Sequence, residues 1–343
     1  MKKKKGAGRT ILIVLCVFLG IVLAAGIGLT IYVSYLSSLV ERKDPVQETL
    51  SQEQIQEILQ EETIDPDGTT APVMQEDEMD WGEKEGEIIE TADSVVNILL
   101  IGQDARPGQG RSRSDSMILV TFNTEAKTIT MTSFLRDIYV QIPGYGGDKL
   151  NHTYVYGGMT LLNETLEQNF GVQVDGNIEV DFSRFPEVID LLGGVDLELR
   201  YDEAATVNYH TGRYVLGSGM QHMDGEQTLV YSRIRKLDAD ADFSRTNRQR
   251  KVLNSLFEKF RDSSLITLLG LVDDLLPMIA TDMSNKEIVK LATDLFPMLA
   301  DCTIISQRIP ADGAYDFKTI RGMSCVVADM DAARKLLEET IGG

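Results

Sequence analysis

Apolar positions along this chain fall into three regimes, and each predicts a different kind of structure. From Thr10 to about Tyr35 there is no charged residue, and Ile, Leu, Val, Ala and Gly dominate. Roughly 20 such residues span a bilayer as a helix, so residues 10–36 read as a transmembrane anchor. A cleaved signal peptide would have a shorter apolar core, and here the run continues past Ala24-Ala25-Gly26. From Ser37 to about Thr91 the apolar content falls away, and Glu, Gln, Asp and Thr take over, with Pro45, Pro66 and Pro72. Only Leu50 to Glu62 has the makings of a short helix, so residues 37–92 read as a self-repelling, disordered linker.

The third regime begins at Val95. Val95 to Ile101 is a continuous apolar run closed by Gly102, the pattern of a strand buried on both faces. Ser116 to Phe122 is a second such run, Asn123 to Lys127 a turn, and Thr128 to Phe134 an alternating third strand. Further strands fit Asn177 to Phe182, Val195 to Leu199 and Thr303 to Ile309. Helices fit Gly158 to Asn169, Phe185 to Leu192, Asp224 to Leu229, Ser244 to Phe260, Leu265 to Ile279, Asn285 to Leu299 (N-capped by Ser284) and Met330 to Thr340. Asp202 to Gly219 reads as a loop. Strands alternating with helices predict an α/β fold over residues 93–343, a three-layer α/β/α sandwich with a mixed central sheet.

Charge changes this picture in two ways. Lys2 to Lys5 and Arg9 precede the apolar run, so the positive-inside rule makes residues 1–9 a cytoplasmic tail and places everything after Leu36 outside the cell membrane. The formal net charge is −20, and 17 acidic residues face only Arg42, Lys43 and Lys84 between Glu41 and Glu90. A chain this acidic repels nucleic acid, so clustered arginines within it point to a local anionic ligand. Of the three cysteines, Cys16 lies in the apolar run, and Cys302 and Cys325 either pair in an oxidising compartment or stay as separate buried thiols.

The arginines recur beside carboxylates, in Asp104-Ala105-Arg106, Arg113-Ser114-Asp115, Arg136-Asp137, Arg233-Ile234-Arg235 and Asp242-Phe243-Ser244-Arg245-Thr246-Asn247-Arg248-Gln249. Arginine suits bidentate capture of phosphate. Asp104 and Asp115 flank the loop between the first two strands, at a sheet edge where α/β folds bind ligands. Such a pair holds Mg²⁺ jointly with a phosphate ligand, because that ion keeps several waters; taken alone, the same carboxylates would equally pair with Arg106 and Arg113. Arg233 and Arg235 point to one side if their segment is extended, as the lead-in Leu229-Val230-Tyr231 favours. Arg245, Arg248 and Gln249 share one face of a helix whose N-terminus attracts an anion, and Asp242 either caps that helix or orients an arginine. Asp115 and Asp137 are both placed to act as a general base. His152, His210 and His222 show neither triad order nor metal spacing, and no Walker loop, dinucleotide fingerprint or paired-cysteine motif is present. The pattern is that of a diphosphate site.

In this combination, with Asp148-Lys149-Leu150-Asn151 and Leu192-Gly193-Gly194-Val195-Asp196, the chain resembles the LytR-CpsA-Psr family of cell-envelope proteins from about Val95 to Phe260, with an anchor in the matching position. The resemblance implies a phosphotransferase that moves a glycopolymer from a polyprenyl diphosphate carrier to peptidoglycan outside the membrane. It implies Mg²⁺ on Asp104 and Asp115, a diphosphate head on Arg113, Arg136, Arg233, Arg235, Arg245 and Gln249, and a prenyl tail in an apolar channel between sheet and helices. Arg136, Asp137 and Asp115 would form the reacting group. Phe134-Leu135 departs from the family, which more often has proline before Arg136-Asp137. The residues after Asp262 are less diagnostic. Two rivals stay open: a polyprenyl-diphosphate hydrolase, and a non-catalytic lipid sensor, since family members have been labelled transcriptional attenuators.

Overall fold

The computed structural model describes residues 35, 41–42, 50–60, 71–103, 111–235, 237–238, 241–261, 278–295, 298 and 301–342. Apart from Tyr35 the expected anchor lies outside these, and no described helix is long and apolar enough to cross a membrane. The strands are β1 (Glu41–Arg42), β2 (Val95–Gln103), β3 (Ser114–Asn123), β4 (Thr128–Phe134), β5 (Tyr139–Ile142), β6 (Gly146–Lys149), β7 (Gly176–Asp181), β8 (Val195–Leu199), β9 (Gly219–Met223), β10 (Ile279–Thr281), β11 (Thr303–Ile309), β12 (Tyr315–Ile320) and β13 (Met323–Ala328). The helices are α1 (Gln52–Gln60), α2 (Leu150–Phe170), α3 (Phe185–Leu191), α4 (Tyr201–Thr211), α5 (Gly225–Ser232), α6 (Ala241–Arg261), α7 (Asn285–Leu295) and α8 (Met330–Ile341).

A mixed seven-stranded sheet runs in the order β1-β10-β7-β2-β3-β4-β11. Its central strands read as unbroken apolar runs because both faces are covered. Leu99, Ile101, Met117, Leu119 and Phe134 pack on one side against Tyr154, Leu162, Leu166 and Phe170 of α2 and Leu337 of α8. Ile98, Ile118, Val120, Ile129 and Met131 pack on the other against Leu253 and Phe257 of α6 and Leu291 and Leu295 of α7. A third cluster forms a satellite lobe: Ile189 of α3, Val195 and Met223 of the β8–β9 hairpin, Val207 of α4 and Tyr231 of α5 close on Val252 and Leu256 of α6.

Several expectations change. The helix expected from Gly158 starts at Leu150, and Gly158 is instead its kink, with φ 63° and ψ −149°. Asp202 to Gly219, read as loop, carries most of α4, whose inward side is only Glu203, Ala204, Val207 and Asn208 while Tyr201 and Tyr209 are exposed. The helix expected over Leu265 to Ile279 lies outside the described residues except at its end, where Ile279 opens β10; the helix expected over Asn285 to Leu299 is described as α7 from Asn285 to Leu295, with 296–297 and 299 outside the described residues. Residues 71–92, expected as linker, pack onto the domain: Val73 bridges Thr319, Trp81 stacks on Tyr139 at 6.1 Å, and Met79 and Ile89 are buried. Their acidic composition masks these few apolar contacts. Cys302 and Cys325 are not bonded to each other and lie in different clusters, so the disulfide alternative does not hold.

Candidate functional site

Pairing between β2 and β3 runs Ile101 with Met117 and Gly102 with Ser116, then jumps to Gln103 with Ser114, leaving Asp115 as the extra residue of a β-bulge. A bulge breaks the ladder and re-aims one side chain. Asp115 Oδ1 accepts a hydrogen bond from Arg136 Nη1 at 2.7 Å. Arg136 Nε lies 3.3 Å from Asp137 Oδ2, and Lys149 Nζ lies 3.2 Å from Asp137 Oδ1. These half-buried and buried charges join the ends of β3, β4 and β6.

The segment carrying Arg136 and Asp137 is fixed through its backbone. Leu135 N donates to Ile309 O at 3.0 Å, Val326 N to Asp137 O at 2.8 Å, Asn151 N to Arg136 O at 3.0 Å and Leu150 N to Ile138 O at 2.8 Å. Leu135 is buried in the core, so β11, β13 and the start of α2 hold a turn that has no proline at this position. The C-terminal region thereby gains a role: its last hairpin braces Asp137. Asp148 steadies the start of α2 by accepting from Tyr156 at 2.5 Å and pairing with His152 Nδ1 at 2.9 Å. Burial pushes the Asp148 carboxyl up, and the bonds from His152, Tyr156 and Lys149 N outweigh it, so the group sits below its ordinary range.

Burial also pushes the Asp115 carboxyl up. Arg136, Arg245 and Arg235 together outweigh that effect, and Asp115 is held below the usual carboxylate range. Three of the expected arginines therefore act on this carboxylate through their charge, Arg136 by direct contact. Gln249 joins them from α6, its Oε1 accepting from Ser116 Oγ at 3.2 Å. Arg113 stands half-buried immediately before β3.

Arg233 and Arg235 do not belong to a strand. Helix α5 continues through Ser232, and Arg233 is its C-cap at φ −102° and ψ −2°. Ile234 is buried between the exposed Arg233 and the half-buried Arg235. The Arg233 guanidinium lies 5.2 Å from the centre of the Phe182 ring. Phe182 in turn sits where a side chain on Gly102 would be, its ring 2.9 Å from an ideal Cβ there. Gly102 is thus required for close approach, and Phe182 is a prop for Arg233 that sequence reasoning missed.

Arg248 turns away from any ligand. It is 3% exposed, donates through Nε to Glu203 Oε1 at 2.9 Å and through Nη1 to Ile234 O at 3.1 Å, and pairs with Asp238. Arg200 Nη1 reaches the same Asp238 at 2.7 Å. This network fixes the loop that presents Arg233 and Arg235. Glu203 was hidden because its helix read as loop. Asp104 and Arg106, and the side chain of Asp242, lie outside the described residues. Among the described residues no three His, Cys, Asp or Glu gather to hold a metal.

The model of the LytR_cpsA_psr family matches residues 62–341 of this chain. The chain belongs to that family. The LytR_cpsA_psr match takes in residues 71–92, in keeping with their packing on the domain. The polyisoprenyl-teichoic acid–peptidoglycan teichoic acid transferase TagT of Bacillus subtilis is 37% identical over 209 residues, which are 59% of this chain and 63% of that protein. A TagU transferase of Bacillus mycoides is 32% identical over 67% of this chain and 75% of its own length. The structure of TagT bound to LIIa-WTA superposes with a TM-score of 0.61 at 29% identity, covering 77% of this LytR_cpsA_psr chain and 99% of that one. YwtF (TagT) with bound octaprenyl pyrophosphate gives 0.57 at 27% identity, over 77% and 99%.

Proposed function

We propose that this protein is a cell-envelope phosphotransferase that moves a glycopolymer from a polyprenyl diphosphate carrier to peptidoglycan. One observation carries the reading: Asp115, Arg136, Asp137 and Lys149 form a chain of charges across the ends of β3, β4 and β6, in a fold shared over 77% of the chain with a protein whose structure holds octaprenyl pyrophosphate.

In this reaction an acceptor hydroxyl, the C6 hydroxyl of a peptidoglycan sugar, attacks the phosphorus bonded to the glycopolymer. A P–O bond to the acceptor forms and the P–O bond to the bridging oxygen breaks. Prenyl phosphate leaves with that electron pair. Arg113, Arg136, Arg233, Arg235, Arg245 and Gln249 hold the diphosphate, and preorganised cations of this kind stabilise charge building on the leaving phosphate. Asp115 is the carboxylate that would hold Mg²⁺, so we assign the hydroxyl proton to Asp137, from which it passes to the departing phosphate.

We further infer that Mg²⁺ is held by Asp115 with Asp104 and diphosphate oxygens, where it neutralises phosphate charge. The ionised state of Asp115 supports this, since a hard cation takes deprotonated oxygen ligands. Residues 10–36 would anchor the chain beside a donor that stays in the bilayer, with the domain outside the cell.

The test is turnover of a short polyprenyl-diphosphate saccharide by the full chain in detergent, with peptidoglycan oligomers and Mg²⁺. Covalent transfer is expected, and Arg136→Ala should lower it about 10²–10³-fold. Hydrolysis despite peptidoglycan would make the protein a hydrolase. Tight binding with neither reaction, unchanged by Mg²⁺, would leave a lipid sensor.

A further inference from the structure

One polar side chain in the segment that holds Arg136 through its backbone has no work in the arrangement so far. Asn151, in the first turn of α2, is fully buried, and neither its Oδ1 nor its Nδ2 has a hydrogen-bond partner among the described residues. Its backbone N–H holds Arg136 O at 3.0 Å, and its neighbour Lys149 holds Asp137. Burying both ends of a carboxamide without partners is costly, and native proteins rarely tolerate it without a reason. A leucine of similar volume would fill the same space with no such cost. Arg136 and Lys149, which flank it along the same turn, are donors only, and Asp115 and Asp137 are acceptors engaged by those cations. An amide adds what they lack, an uncharged acceptor and donor side by side. A hydroxyl-bearing ligand matches that pair, whereas a diphosphate, offering only acceptors, would leave Oδ1 unpaired.

We propose that Asn151 binds the acceptor sugar of the transfer reaction, its Nδ2 donating to the attacking oxygen, whose proton goes to Asp137, and its Oδ1 accepting from a neighbouring sugar hydroxyl. The assignment rests on the transferase reading. Solvent does not reach Asn151, so the amide is engaged only after a neighbouring side chain moves. Arg136, bonded to Asn151 through its backbone, has partners in Asp115 and Asp137 that compete with an incoming diphosphate. Donor binding therefore precedes acceptor binding, and water meets a closed site while the donor is absent.

The experiment compares wild type with Asn151→Leu and Asn151→Ser, all as full chains with Mg²⁺. Three quantities are read: donor affinity without acceptor, the ratio of transfer to hydrolysis with peptidoglycan oligomers, and the thermal midpoint. Asn151→Leu should keep donor affinity within about twofold, lose transfer by at least ~10²-fold with hydrolysis spared, and melt no lower than wild type. Asn151→Ser, which retains one hydroxyl, should recover part of the transfer. Transfer by Asn151→Leu equal to wild type overturns the assignment alone. So does a parallel fall of donor affinity and midpoint in both variants, the mark of an amide bridged by structural water. A wild type that hydrolyses donor without transferring it removes the transferase reading, and this assignment with it.

Discussion

The two halves of the site are held by different physics. Asp115 and Arg136 stand on the sheet, placed by a bulge and by backbone hydrogen bonds from β11, β13 and α2. Arg233 and Arg235 stand on the satellite lobe, placed by the buried charges of Arg248, Glu203 and Asp238 and by a ring that fills the space above a glycine. Backbone bonds survive almost any side-chain substitution. A buried ion network does not, because removing one member leaves the others charged and unsolvated.

Arg248→Ala tests that contrast most severely. Its side chain and that of Glu203 are 3% and 4% exposed, so the loss should be about 3–5 kcal/mol in chemical denaturation. The lobe should then unfold before the sheet, splitting the transition in two. A single transition shifted by less than about 1 kcal/mol would mean that the loop is held by its backbone after all.

Gly102→Ala should cost less, about 1–3 kcal/mol, because the new methyl meets the Phe182 ring at 2.9 Å and Ser116 Cβ at 3.1 Å. The sharper readout is binding. Displacing Phe182 moves the support of Arg233, so affinity for a diphosphate donor should fall several-fold while Arg136, on the sheet, keeps its contacts. Unchanged affinity would cut the link between ring and arginine.

The smallest effect is in acid. Asp115 has a depressed folded pKa, so the stability it contributes is present above its unfolded value, about 3.9, and disappears as pH falls through the lower folded value. Arg136→Gln removes one cause of the depression. The acid limb of a midpoint-against-pH curve between about pH 2 and 5 should become shallower in that variant. A limb of unchanged shape would show that Arg245 and Arg235 suffice to hold the carboxylate ionised.

This contrast also explains what could be read in advance. Val95 to Ile101 was legible because a strand buried on both faces leaves a long apolar run, and it lies within β2. Arg136 and Asp115 were legible as candidate site residues from residue type and position at strand ends, whereas their pairing was not, since the sequence set the Asp104 and Asp115 carboxylates against Arg106 and Arg113. The lobe was harder. Tyr201 and Tyr209 face solvent, Glu203 is buried, and that inversion of the usual pattern made a helix look like a loop. Phe182 gave no signal because its role depends on an absent side chain 80 residues earlier, at Gly102. The brace from Val326 to Asp137 is likewise invisible in any local window.

That brace sets an order on the protein's making. A ribosome has delivered every arginine of the site before it reaches β13, yet the backbone donor that fixes Asp137 arrives with Val326, near the end of the chain. Strand β11, which pairs with β4 across some 175 residues, also comes late. A chain still being synthesised therefore owns all its phosphate-binding groups while the turn that carries Arg136 and Asp137 still lacks its final alignment. Translation itself acts as the safety catch, released only when the last hairpin is in place.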